Sequence, residues 1–157
     1  MRPGAGAAPL ERYGGLPSIE DAALSPDGTR LAFVKTRGEK RYISFRFLGG
    51  DKLSGTVGAG EAKIRWLQWA NQDKLLITLS ATTHPSRYHG DTKVELFQVA
   101  VLDVTTREST KLLDARELRV NAPDQVAKLP PVRHSDGHTV VYVYGFYFDS
   151  SFRPMQV

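Results

Sequence analysis

The chain has 157 residues, enough for one domain with its own core, and its 41% hydrophobic and 24% charged residues are those of an ordinary globular chain, not a disordered one. Its formal charge of +4, from 21 basic against 17 acidic residues, is mild, and the basic residues are scattered, whereas a nucleic-acid site concentrates them on one face. The longest apolar stretch, residues 140–148, is far below the roughly 20 residues that cross a bilayer, and the absence of cysteine excludes disulfides and thiolate metal sites.

Residues 1–9 carry one basic residue and no apolar core, so they are not an intact secretory signal. A signal removed ahead of Met1 stays open, and with it both a cytoplasmic and a periplasmic location. Residues 1–18 read as a small-residue tail followed by one helical turn over 9–13, with Pro9 at its start, Glu11 near its positive end and Gly14-Gly15 stopping it. Residues 19–24 and 31–36 then form a hairpin around Ser25-Pro26-Asp27-Gly28. Pro26 has its φ preset for the second position of a type I turn, Ser25 and Asp27 suit the flanking places, and Gly28 takes the left-handed conformation that starts the return strand. The apolar run Leu31-Ala32-Phe33-Val34 predicts a strand buried on both faces. Residues 42–47 make a third strand in which Ile43, Phe45 and Phe47 alternate with Ser44 and Arg46, and 52–57 a fourth. One antiparallel unit of four strands thus spans 19–60.

A second unit, 61–121, repeats the order with strands at 64–69, 74–80, 94–104 and 109–113, its first turn being Ala70-Asn71-Gln72-Asp73. Phe97, Val99 and Val101 share one face of its third strand. A polar insertion, 81–93, separates its second and third strands and is longer than a hairpin needs; Arg87, Tyr88, His89 and Asp91 on it are the candidate contacts for a substrate or partner. A third unit, 122–157, has the turn Ser135-Asp136-Gly137 before a strand at 140–144, repeating the turn pattern of Ser25 to Gly28. A loop at 145–154 follows, and Met155-Gln156-Val157 begins a strand that the chain does not finish.

The step from Asp27 to Gln72 matches the roughly 40 to 45 residues of a four-stranded propeller blade, and the step to Asp136 matches a blade carrying the insertion. The expected fold is therefore all-β: an incomplete β-propeller of about two and a half four-stranded antiparallel blades. Open edges on such a piece predict that the isolated chain self-associates.

Ala23-Leu24-Ser25-Pro26-Asp27-Gly28-Thr29-Arg30-Leu31-Ala32-Phe33-Val34 resembles the repeat of the WD-like propellers in TolB-type proteins and in serine peptidases of the prolyl oligopeptidase family. Residues 9–21 and the run Arg65-Trp66-Leu67-Gln68-Trp69-Ala70-Asn71-Gln72-Asp73-Lys74-Leu75-Leu76 resemble the opening of the bacterial acylaminoacyl and dipeptidyl members, so the peptidases fit better. The resemblance covers nearly the whole chain, although the second unit lacks the Ser-Pro-Asp-Gly tetrapeptide. It implies a propeller followed by an α/β-hydrolase domain that cleaves short peptides, with the propeller limiting access to the catalytic cavity and residues 9–13 docked on the hydrolase domain. The runner-up is a TolB-like, non-enzymatic propeller that serves as a protein-binding scaffold.

The chain itself carries no nucleophile elbow, Gly-x-Ser-x-Gly, so no catalytic residue is expected in it. Ser25 and Ser135 read as turn residues. His84, His89, His134 and His138 lack the converging third donor of a metal site and read as solvated loop residues, so neither metal nor cofactor is expected. Trp66, Trp69 and Tyr142 are expected to pack between neighbouring sheets. Gly55, Gly58 and Gly60 lack the strand-to-helix context of a phosphate loop and read as a linker.

Overall fold

Apolar residues at every second position between turn-forming clusters dictate strands that turn back on one another. In the computed structural model, which describes residues 17–50, 53–60, 62–83, 93–113, 129–143, 146–148 and 154–156, they do so twice. The first sheet is a meander of β1 (Ile19–Leu24), β2 (Arg30–Arg37), β3 (Lys40–Phe47) and β4 (Leu53–Gly58), antiparallel and paired in that order. The second repeats the path with β5 (Lys63–Trp69), β6 (Lys74–Thr83), β7 (Val94–Asp103) and β8 (Ser109–Lys111). Two hairpins follow, β9 (Val132–Ser135) with β10 (His138–Val141), and β11 (Phe146–Phe148) with β12 (Pro154–Gln156). Among the described residues there is no helix, and the fold is all-β.

The Ser25 turn closes as its residue types require. The Gly28 amide donates to the Ser25 carbonyl at 2.9 Å with Gly28 at φ 72°, and the Asp27 carboxylate accepts from the Ser25 and Thr29 hydroxyls and the Thr29 amide. In the second sheet Asn71 does the same work, its Oδ1 accepting from the amides of Asp73 and Lys74. The third turn differs from the first. Without a proline, Asp136 and Gly137 both take positive φ, 53° and 77°, and join Ser135 directly to His138 as a two-residue hairpin.

The core lies between the two four-stranded sheets. Ala32, Val34, Ile43 and Phe45 face Leu67, Trp69, Leu75, Ile77, Leu102 and Val104, all buried. Two hydrogen bonds pin β1 to β5 across this joint: Trp69 Nε1 donates to the Ala23 carbonyl and the Leu67 amide donates to Asp21 Oδ2, each at 2.9 Å. The other face of the second sheet, with Ala70, Leu76 and Val99, receives Val132, Val141 and Val143 of the β9–β10 region. The second sheet is thus packed on both sides, whereas β2 is fully buried on one face (Ala32, Val34) and half-buried on the other (Leu31, Phe33).

Several expectations are corrected. The second strand of the long hairpin runs on through Ala81, Thr82 and Thr83, which pair with Leu96, Glu95 and Val94, so the insertion begins later than residue 81. Residues 146–148 form β11 and pair with β12, where a loop was expected, because Phe146-Tyr147-Phe148 are strand formers with a partner segment eight residues on. Gly55 and Gly58 belong to β4, and Gly55 serves packing: a Cβ there would stand 2.3 Å from Cζ of the Phe45 ring. Trp69 alone of the three aromatics fills the joint between the sheets. Trp66 lies three residues from Trp69 in unbroken register with β6, so alternation turns it to the opposite face, 38% exposed and stacked on Phe97 at 6.2 Å, while a bulge at Arg65 brings Ile64 back to the joint. Tyr142 is 46% exposed and lies under the Arg133 guanidinium, 5.9 Å from the ring centroid. The expected helical turn at 9–13 lies outside the described residues.

Candidate functional site

The meanders place their turns at opposite ends of the sheets. At one end stand the β1–β2, β5–β6 and β9–β10 turns, laced together by Arg30 reaching the Gln72 carbonyl and Asp73 Oδ1 at 2.8 and 2.7 Å, and by Asn71 Nδ2 reaching Thr139 Oγ1 at 3.4 Å. Lys74 and Asp103 pair there at 2.5 Å. Lys74, followed by the Thr106 and Thr105 amides, pulls the Asp103 carboxyl down to about 2. Asp103 thereby fixes the turn that joins β7 to β8.

The opposite end carries the long β6–β7 connection. Arg87, Tyr88, His89 and Asp91 lie on that connection, outside the described residues, and so do His84 and the remainder of 84–92. What the structure describes is the base on which they stand. There Arg65 Nε donates to Ser80 Oγ at 2.7 Å, the Arg65 guanidinium also grips Glu95, and Ser80 Oγ donates to Glu95 Oε1 at 2.8 Å. Lys63 Nζ lies 3.8 Å from the same carboxylate and 3.4 Å from Thr82 Oγ1. Arg65, and after it Ser80, hold the Glu95 carboxyl below the usual carboxylate range, so it stays ionised near neutral pH. The same end of the first sheet has a matching clamp, Arg41 bidentate on Glu20 at 2.7 and 3.0 Å, tying β3 to β1.

Sequence reasoning missed this clamp. Its signal was the pair Lys63 and Arg65 at the start of a strand with no other charged residue, facing Glu95 at the start of another; the register that joins them exists only because the hairpin extends to Thr83 and Val94.

Among the described residues these groups brace the strands and include no activated nucleophile. Ser80 has a carboxylate beside it, but Glu95 is already engaged by a guanidinium and is too weak a base to activate a hydroxyl. Ser25 and Ser135 are bound to Asp27 and Asp136 with no histidine in either arrangement, and His134 Nδ1 is spent on Thr139 Oγ1 at 3.2 Å. Among the described residues no three or more histidine, aspartate or glutamate side chains converge as a metal-binding group, and no helix is long and apolar enough to cross a membrane. Compared with models of known protein families and with curated proteins, the chain matches none.

Proposed function

We propose that the two four-stranded sheets and the hairpins after them are about two and a half blades of a β-propeller, and that this propeller is the non-catalytic, access-limiting part of a serine peptidase of the prolyl oligopeptidase family acting on short peptides. The observation that carries the propeller reading is the stacking order. The first sheet packs its inner face on the second with β1 beside β5, and the β9–β10 region packs on the second sheet's other face, as successive blades pack around an axis. The peptidase reading adds the resemblance of residues 9–34 and 65–76 to the opening of such enzymes, and it accounts for side chains here that bind and brace without an activated nucleophile. In this reading Arg87, Tyr88, His89 and Asp91 contact substrate or the hydrolase domain from the end braced by Arg65 and Glu95.

The test is to treat the natural polypeptide that carries this chain with a fluorophosphonate active-site probe and map the modified peptide. Modification of one serine outside residues 1–157 supports the proposal. A folded, full-length protein that takes no label overturns it in favour of a TolB-like scaffold, for which the same end of the sheets is the first surface to screen for protein partners.

A further inference from the structure

The second sheet ends on an incomplete strand. β8 pairs only with Ala100, Val101 and Leu102 of the ten-residue β7, and the last contact of this kind is the Leu112 amide on the Val99 carbonyl at 2.8 Å. At the next residue, Leu113, φ is 56°, a left-handed conformation that no extended strand adopts. The orientation of the edge left behind follows from parity. Val99 and Asp103 direct backbone groups to the β8 side, accepting from Leu112 and donating to the Glu108 carbonyl, and the β6–β7 register is unbroken from Lys74↔Asp103 to Thr83↔Val94. Residues 95 and 97 therefore direct their N–H and C=O groups to that side as well. Among the described residues no strand pairs with them there.

We propose that this edge, centred on Glu95 and Phe97, takes an extended acidic peptide segment as an added antiparallel strand in the place where β8 stops short. Backbone pairing supplies the affinity, and the surroundings supply the selection. A recess of about 300 Å³ beside the edge, lined by Leu79, Ala81, Leu96 and Phe97 with Gln98 and Lys111, has room for one apolar side chain of such a peptide. Among the described residues at this edge, Lys63, Arg65, Lys93 and Lys111 outnumber the carboxylate of Glu95, and Arg65 and Lys63 already pair with it; Lys93 and Lys111 are both exposed. A partner that repeats this charge, a second copy of the chain above all, meets like charges across the strand pair, whereas an acidic segment meets opposite ones.

The experiment uses the full chain, labelled for amide exchange, and three capped heptapeptides: one alternating glutamate with valine, one with lysine for glutamate, and one acidic with a central proline. The Glu95 and Phe97 amides are expected to exchange fast in the free chain and to slow by about tenfold or more with the acidic peptide, while the lysine and proline peptides bind about tenfold or more weakly. K93E/K111E, which changes only exposed residues, is expected to reverse the preference between the acidic and lysine peptides. The proposal is overturned if those two amides are already protected in the free chain, if their protection rises with chain concentration alone, or if acidic and basic peptides bind alike.

Discussion

The two four-stranded sheets have the same strand order and direction, yet they finish differently. In the first, β4 follows β3 from Tyr42 to Arg46, and the Ala59 amide adds a bond to the Arg41 carbonyl, so the outer edge is covered nearly end to end. In the second, β8 covers three residues of a strand of ten. The upper ends diverge too. Arg30 and Lys74 are equivalent first residues of β2 and β6, but Arg30 pairs in register with Phe47 and sends its guanidinium to the neighbouring sheet, whereas Lys74 faces Asp103 and keeps its ion pair at home. One meander spends its polar groups on joining sheets and the other on fixing its own turn. The second sheet consequently combines an ion-paired turn at the Lys74 end with an edge at Glu95 and Phe97 that no strand among the described residues covers.

The largest effect is expected at the joint that the sheets share. Leu75 is fully buried against the first sheet, and Leu75→Ala removes that contact at a cost of about 2–5 kcal/mol, read as a lowered urea midpoint in the full chain. Because the joint belongs to both sheets, they should still unfold in one transition. Separate transitions for tryptophan fluorescence and far-ultraviolet circular dichroism would mean that the sheets fold independently and that the comparison concerns two domains.

A smaller and more local effect tests why the first sheet has a complete fourth strand. Gly55→Ala drives a Cβ into the Phe45 ring and is expected to cost about 1–3 kcal/mol, since a buried ring in a packed joint yields little. Gly58→Ala, on the same strand with nothing within 4 Å of the added carbon, should stay within about 0.5 kcal/mol of the parent. Equal effects at the two positions would show that β4 is held by its backbone alone. In the second sheet, Thr78 presents a buried hydroxyl with no hydrogen-bond partner among the described residues, on the face opposite Leu75 and Ile77. Thr78→Val is expected to raise stability by about 1 kcal/mol by removing that unpaired group, and a loss of stability would reveal that the hydroxyl is bonded in solution.

Much of this was legible in the chain. The Ser25-Pro26-Asp27-Gly28 turn follows from proline's fixed φ and glycine's freedom, and Phe97, Val99 and Val101 do share a face because β7 runs without a bulge. What escaped sequence reasoning has a common physical cause. Alternation reports sides only while the register is regular, so the bulge at Arg65 hid the return of Ile64 to the joint, just as the apolar run at Leu31 could not disclose that only one of its faces would be fully covered. The Arg65–Ser80–Glu95 clamp depends on three strands meeting, and no single segment encodes it. Strand ends were the least visible: β8 stops at Lys111, and Leu113 just beyond it takes a left-handed φ that no glycine or asparagine announces.

The smallest effect concerns the upper end and is read against pH. Asp103 has its carboxyl lowered from 3.8 to about 2, through Lys74 first and then the Thr106 and Thr105 amides. A carboxyl whose folded value lies below its unfolded value binds protons more readily when unfolded, so it contributes stability above the unfolded value and loses it as pH falls towards the folded one. The contribution of Asp103 is therefore complete above about pH 4 and fades between about pH 4 and pH 2. Asp103→Asn removes the titrating group and the ion pair together. Near neutral pH its urea midpoint should lie below that of the parent, and the two should converge across the acid window. Asp73→Asn, which loses only the exposed pair with Arg30, should run close to the parent throughout. If instead Asp73→Asn shows the acid convergence and Asp103→Asn runs parallel to the parent, the upper end is held between the sheets and not within the second, and the contrast drawn from Arg30 and Lys74 is reversed.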